Sequence, residues 1–101
     1  MLASTSAFQM ADIDLTRSHS LGLADGRDAV ERVAEQLEND LGVQYEWANN
    51  TLHFDGQGAD GSIEVGHETV HILINLSAFL RPLRSRVKAE AEGYLDRHFA
   101  S

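Results

Sequence analysis

Five histidines, sixteen carboxylates and no cysteine set the chemistry open to this chain of 101 residues. His53 and His71 occupy polar positions in alternating runs, and Glu64 occupies one in the run between them. If consecutive runs pair as strands, the three become lateral neighbours, and imidazole with carboxylate suits either a metal ion or an acid–base pair. Two arguments stand against that use. No closely spaced ligand motif accompanies them, and an open sheet face is not the water-excluded pocket that catalysis favours. The three are read as decoration of a polar sheet face, so no catalytic residue, metal ligand or cofactor is assigned. His19, His67 and His98 fall in a breaker, a turn and a helix end, and the helix dipole accounts for the last.

Other chemistries fail on context. No G-x-S-x-G is present, and no serine has a histidine and an acid that the sequence can place beside it. Gly56, Gly58 and Gly61 spell G-x-G-x-x-G, but between two strands, whereas the dinucleotide fingerprint opens a helix after a strand. The absence of cysteine removes disulfides, thiolate metal sites and cysteine nucleophiles together.

One cluster breaks a local rule. Arg81, Arg84, Arg86 and Lys88 are half of the eight lysines and arginines. They sit at the start of the last helix, where the macrodipole disfavours cations. Such a conflict marks a place where function resides, here a docking patch for an acidic partner or an anionic surface. The plainer explanation is compensation by Glu90 and Glu92, four residues after Arg86 and Lys88. A second candidate is an apolar cavity between the last helix and the sheet, lined by Trp47, Phe54, Ile72 and Leu83 and suited to an acyl or hydroxyacyl chain. A chain this short favours a filled core instead.

The elements that must carry these residues follow from periodicity. Residues 11–17 alternate, with Ile13 and Leu15 on one side, and predict a strand. Ser20 is a candidate helix N-cap. Residues 23–41 carry a helical stripe of Val30, Val33, Ala34, Leu37 and Leu41, weakened early by Gly26 and stopped by Gly42. Alternating runs around Tyr45 and Trp47, Leu52 and Phe54, Ile63 and Val65, and Val70 to Leu76 are separated by short turns, which predicts an antiparallel meander. A last helix over about residues 79–99 presents Leu80, Leu83, Val87, Ala91, Tyr94 and Leu95 on one stripe, with its regular part beginning near Arg81 or Pro82. The expected fold is α+β and two-layered, order β-α-β-β-β-β-α: an antiparallel sheet of about five strands with both helices on one face. Residues 1–9 read as a disordered lead-in and 10–101 as a single domain.

Hydrophobic residues at 43% and charged residues at 24% are ordinary globular usage. The net charge of -8 opposes phosphate backbones and anionic membrane surfaces, so no nucleic-acid partner is expected. The longest apolar stretch, residues 70–80, is interrupted by His71, Asn75 and Ser77 and is too short to span a bilayer. The start lacks a basic segment followed by an apolar one, so a cytoplasmic location is expected.

The run Met10-Ala11-Asp12-Ile13 followed by His19-Ser20-Leu21-Gly22-Leu23 resembles the start of the small bacterial "putative polyhydroxyalkanoic acid system" proteins. Tyr45-x-Trp47, Leu52-His53-Phe54, Gly61-Ser62-Ile63-Glu64-Val65 and Leu80-Arg81-Pro82-Leu83 with basic residues after it are similar to that family too. The resemblance covers residues 10–99. It implies association with polyester storage and a granule-region label, with no catalytic residue to carry over. It therefore implies a non-enzymatic accessory protein that contacts a granule-associated protein or the granule surface, and homo-oligomers are compatible with it. Phasins coat granules with long amphipathic helices; this chain reads as a compact α+β domain, which favours docking over coating.

Overall fold

The computed structural model describes residues 11–99. The lead-in expected at 1–9, and Met10, lie outside the described residues. The elements run β1 (Ile13–Ser18), α1 (Gly22–Leu41), β2 (Gln44–Ala48), β3 (Thr51–Asp55), β4 (Ala59–Val65), β5 (Thr69–Leu76), a 3-10 turn (Arg81–Leu83) and α2 (Arg84–His98). This is the expected α+β order. β2 to β5 form the meander, and β1 adds beside β5, giving a five-stranded antiparallel sheet in the order β1-β5-β4-β3-β2. The register places Ile13 opposite Ile74 and Ser18 opposite Thr69.

Alternation sorts the sheet into two faces. Ile13, Leu15, Leu52, Phe54, Ile63, Val65, Ile72 and Ile74 are buried on one face, with Tyr45 and Trp47 half-buried at the β2 edge. α1 covers that face with Ala29, Val30, Val33, Ala34 and Leu37, and α2 adds Ala91, Tyr94 and Leu95. The opposite face keeps its polar residues exposed or half-buried, as one-sided antiparallel sheets do.

The ends of α1 show one expectation met and one corrected. Gly42 is left-handed at φ 69° and its N–H donates to the Glu38 carbonyl at 2.9 Å, a glycine stop. Ser20 is not the N-cap. That position is Leu21, with no side-chain cap; the cap-like acceptor is His19, whose Nδ1 takes the Leu21 N–H at 3.1 Å. With Nδ1 accepting, Nε2 carries the proton and donates to the Gly66 carbonyl at 3.0 Å. His19 is buried, and its ring meets Phe99 at 5.2 Å between centroids. It packs against Gly26, where a Cβ would stand 2.9 Å from Val65 Cγ2 and 3.2 Å from His19 Cε1. Gly26 therefore trades helix propensity for close approach of helix to sheet.

The last helix divides in two. Its second half is tied down: Ala91 and Leu95 are buried, Arg17 of β1 pairs with Asp96, Tyr94 donates its hydroxyl proton to Asp40 of α1, and Arg97 reaches Gln36 at 3.2 Å. Its first half stands clear. From Arg81 to Glu90 every residue is exposed except half-buried Val87. The regular helix begins at Arg84, later than expected, because Pro82 lacks an N–H and the preceding residues close a 3-10 turn instead. Leu83, expected on the buried stripe, is 45% exposed because that turn carries it past the edge of the core.

Candidate functional site

The exposed start of α2 is built on the connection that leaves β5. Ser77 donates its N–H to the Gly58 carbonyl at 2.9 Å and its hydroxyl proton to the Gln57 carbonyl, which fastens the connection to the β3–β4 turn. The N–H groups of Leu80 and Arg81 return to the Ser77 carbonyl at 2.9 and 3.1 Å. Leu80 lies on Gly58, where a Cβ would come within 2.7 Å of Leu80 Cδ1. The glycine thus seats Leu80, and Phe79 beside it is left 68% exposed. Beyond it come Arg81, Pro82, exposed Leu83, Arg84, Arg86 and Lys88.

The four cations have different surroundings. Arg81 Nε is 3.7 Å from Asp12 Oδ2, and that carboxylate already accepts the Leu76 N–H at 2.7 Å. Arg86 faces Glu90 at 3.9 Å with three quarters of its side chain exposed, a contact that solvent leaves weak. Arg84 and Lys88 have no ion pair among the described residues. The expected compensation by acids downstream is thus partial: Glu90 engages Arg86, and no bridge joins Lys88 to Glu92. The cations also have two large exposed apolar neighbours, Phe79 and Leu83, the second of which was expected on the buried helix stripe. The signal that would have found them is Pro82, which moves the helix start and takes the preceding turn off the core.

The polar sheet face gathers its histidines loosely. Glu64 lies opposite His71, while His53 lies opposite Ser62, one diagonal step away. His71 Nε2 turns the other way, to Asp14 Oδ1 at 2.7 Å. Among the described residues no three histidine, aspartate or glutamate side chains converge on a common point. The face holds an open depression of about 770 Å³ lined in part by Glu46, His53, Asp55, Asp60, Leu73 and Asn75. It is acidic, and Asn75 already bonds Asp60 across its floor at 3.1 Å.

The residues proposed for an apolar cavity lie in different surroundings. Phe54 and Ile72 are buried in the packed core, Leu83 faces out, and Trp47 is half-buried at the β2 edge. Trp47 belongs to a constellation centred on Glu31 of α1, a position outside the apolar stripe that the periodicity picks out. Glu31 accepts from Trp47 Nε1 and from the Tyr45 hydroxyl, both at 2.7 Å. The Arg27 guanidinium lies over the Trp47 ring at 4.2 Å and also donates to the Asn49 carbonyl in the β2–β3 turn. The bond to Glu31, then burial, pushes the Tyr45 hydroxyl up to about 12. Both carboxylate oxygens of Glu31 and the Tyr45 and Trp47 donors are used within the protein, so the set joins α1 to the β2 edge.

Two further groups titrate away from their ordinary values. Burial, then the bond to Asp40, raises the Tyr94 hydroxyl. His98 is pushed below its ordinary value by desolvation first, then by Arg97 and Arg32, and its Nε2 is buried with no partner among the described residues. No helix among the described residues is long and apolar enough to cross a membrane.

Comparison with known proteins gives one match. The family model described as "Putative polyhydroxyalkanoic acid system protein" matches residues 13–99. No curated protein and no solved structure matches the chain.

Proposed function

The chain belongs to the family described as "Putative polyhydroxyalkanoic acid system protein", and from that premise we propose that it is a non-enzymatic accessory protein of polyhydroxyalkanoate storage. It works in the cytoplasm by docking onto a granule-associated protein or the granule surface. The observation that supports this reading is the segment from Phe79 to Lys88. Two exposed apolar side chains, Phe79 at 68% and Leu83 at 45%, stand among four cations in a chain whose net charge is -8. Exposed apolar anchors rimmed by one sign of charge are the anatomy of an interface. The charge rim speeds encounter and selects the partner, while the apolar anchors hold it.

Fractionation of polyester-accumulating cells tests the reading, with an Arg84→Glu, Lys88→Glu variant run beside the native protein. The native protein is expected with the granules and the variant in the soluble fraction. Recovery of the native protein in the soluble fraction alone would overturn granule docking. Recovery of both proteins with the granules would overturn the role of the patch.

A further inference from the structure

Alternation leaves the uncovered face of the sheet with one sign of fixed charge. Asp14, Glu46, Asp55, Asp60 and Glu64 point to it, and no lysine or arginine of the five strands does. Asp55 stands directly opposite Asp60 in the β3–β4 register, and like charges so placed weaken a sheet. Asn75 donates to Asp60 at 3.1 Å, and His53 lies opposite Glu46. Even so, Glu46, Asp55 and Asp60 have no ion pair among the described residues. These three carboxylates line the open depression, and half-buried Leu73 adds an apolar side chain to it.

The chain thus breaks local rules twice, with opposite signs: four cations crowd the start of a helix, and carboxylates crowd a sheet face. Within one molecule the two groups belong to opposite sides of the sheet. α2 packs on the covered side through Ala91, Tyr94 and Leu95, and the depression opens on the other.

From this we propose that a second copy of this chain brings the two together: segment 79–88 of one copy docks in the acidic depression on the open sheet face of another. Charge complementarity names the occupant. Arg84 and Lys88 have no ion pair among the described residues, and the depression has carboxylates without cations. The dimensions agree. From Arg81 to Lys88 the 3-10 turn and helix rise about 12 Å, and the three strand spacings from β5 to β2 cover about 14 Å. Exposed Phe79 and Leu83 gain apolar cover, with Leu73 opposite them. Every copy carries both halves, so two copies exchange contacts about a two-fold axis, the commonest closed arrangement. The inference goes beyond granule docking. The same cations serve both contacts, so an acidic granule partner competes with the second copy, and self-association keeps the patch covered until that partner arrives.

Sedimentation of the purified native protein from about 1 μM to 1 mM, at low and high salt, tests this. The native protein is expected to associate at low salt and to dissociate as salt rises. An Arg84→Glu, Lys88→Glu variant and an Asp55→Lys, Asp60→Lys variant are each expected to self-associate at least about tenfold more weakly. An equimolar mixture of the two is expected to regain association, since each then offers the charge that the other lacks. An Asp55→Asn, Asp60→Asn variant relieves the like-charge pair, so it is expected to keep or raise the thermal midpoint while losing association, which separates contact from folding. Native protein that stays monomeric throughout at low salt, association unchanged in the asparagine variant, or a mixture that stays monomeric would each overturn the proposal. Granule fractionation separates this outcome from the docking reading. The asparagine variant keeps its cations and is expected with the granules. Native protein that is monomeric yet granule-bound would overturn self-association and leave docking standing. Native protein that self-associates yet is absent from granules would overturn docking and leave self-association standing.

Discussion

Glu31 shows what a single position can hide. On a helical projection it is one more acid on the solvent side of α1. In the fold it accepts from both Tyr45 and Trp47 at 2.7 Å, while Arg27 covers the indole. Glu31→Ala is expected to cost about 2 kcal/mol, since it leaves two part-buried donors without their charged acceptor. Chemical denaturation of the pair of proteins measures it, and a loss of only a few tenths would show that water replaces the carboxylate. His19 was equally unreadable. A histidine in a breaker suggests nothing until β5 and α1 place Gly66 and Leu21 against its two nitrogens. Both cases are long-range in their cause: the partner is fixed by topology, and periodicity carries no information about it. The cations at 81, 84, 86 and 88 were legible because they break a rule within their own element. Their apolar neighbours were not, because Phe79 and Leu83 look like core until the exposed turn is seen.

At the scale of elements, α2 behaves as two pieces. Residues 91–98 are held by Ala91, Leu95, the Arg17–Asp96 pair and the Tyr94–Asp40 bond. The start has no acidic residue in its first turn and no side-chain cap, so it forgoes the stabilisation that an acid there supplies. Arg84→Glu is expected to raise the thermal midpoint by about 2–5 °C, by complementing the dipole and pairing with Lys88 four residues on. A fall in the midpoint would mean that Arg84 has a structural role within the fold. A gain in stability at a position whose reversal removes docking would show that the cation is kept for contact with a partner. The expected strands and helices were legible almost throughout, since alternation and the helical stripes are strong and the turns are rich in glycine and asparagine. The late start of α2 was the exception, because the sequence indicates that Pro82 belongs in a first turn without indicating whether that turn is α or 3-10.

For the molecule as a whole, pH reports on His98, a half-buried residue whose Nε2 is shielded from solvent. Desolvation disfavours its charged form in the fold, and its value is lowered from 6.5. As pH falls below 6.5 the unfolded chain takes up a proton at this residue that the folded chain resists, so stability falls with pH until the folded value is passed. Between about pH 7 and 5 the thermal midpoint of the native protein is expected to fall more steeply than that of His98→Leu, because the variant lacks this part of the slope. Parallel slopes would show that His98 titrates alike in both states. Which strand β1 joins was the one feature of the architecture that alternation left open, since it pairs across the whole length of the meander. That pairing has a consequence for synthesis. Of the five described strands β1 emerges from the ribosome earliest, and among the described residues it bonds only to β5, the last of the five to emerge. Through the whole passage of α1 and the growing meander, Ile13 and Leu15 have no partner strand and their apolar side chains remain open to wrong neighbours. Arrest of translation before residue 69 therefore yields a chain whose earliest strand is an unpaired adhesive edge, and the interval until β5 arrives is the one in which a chaperone has something to hold.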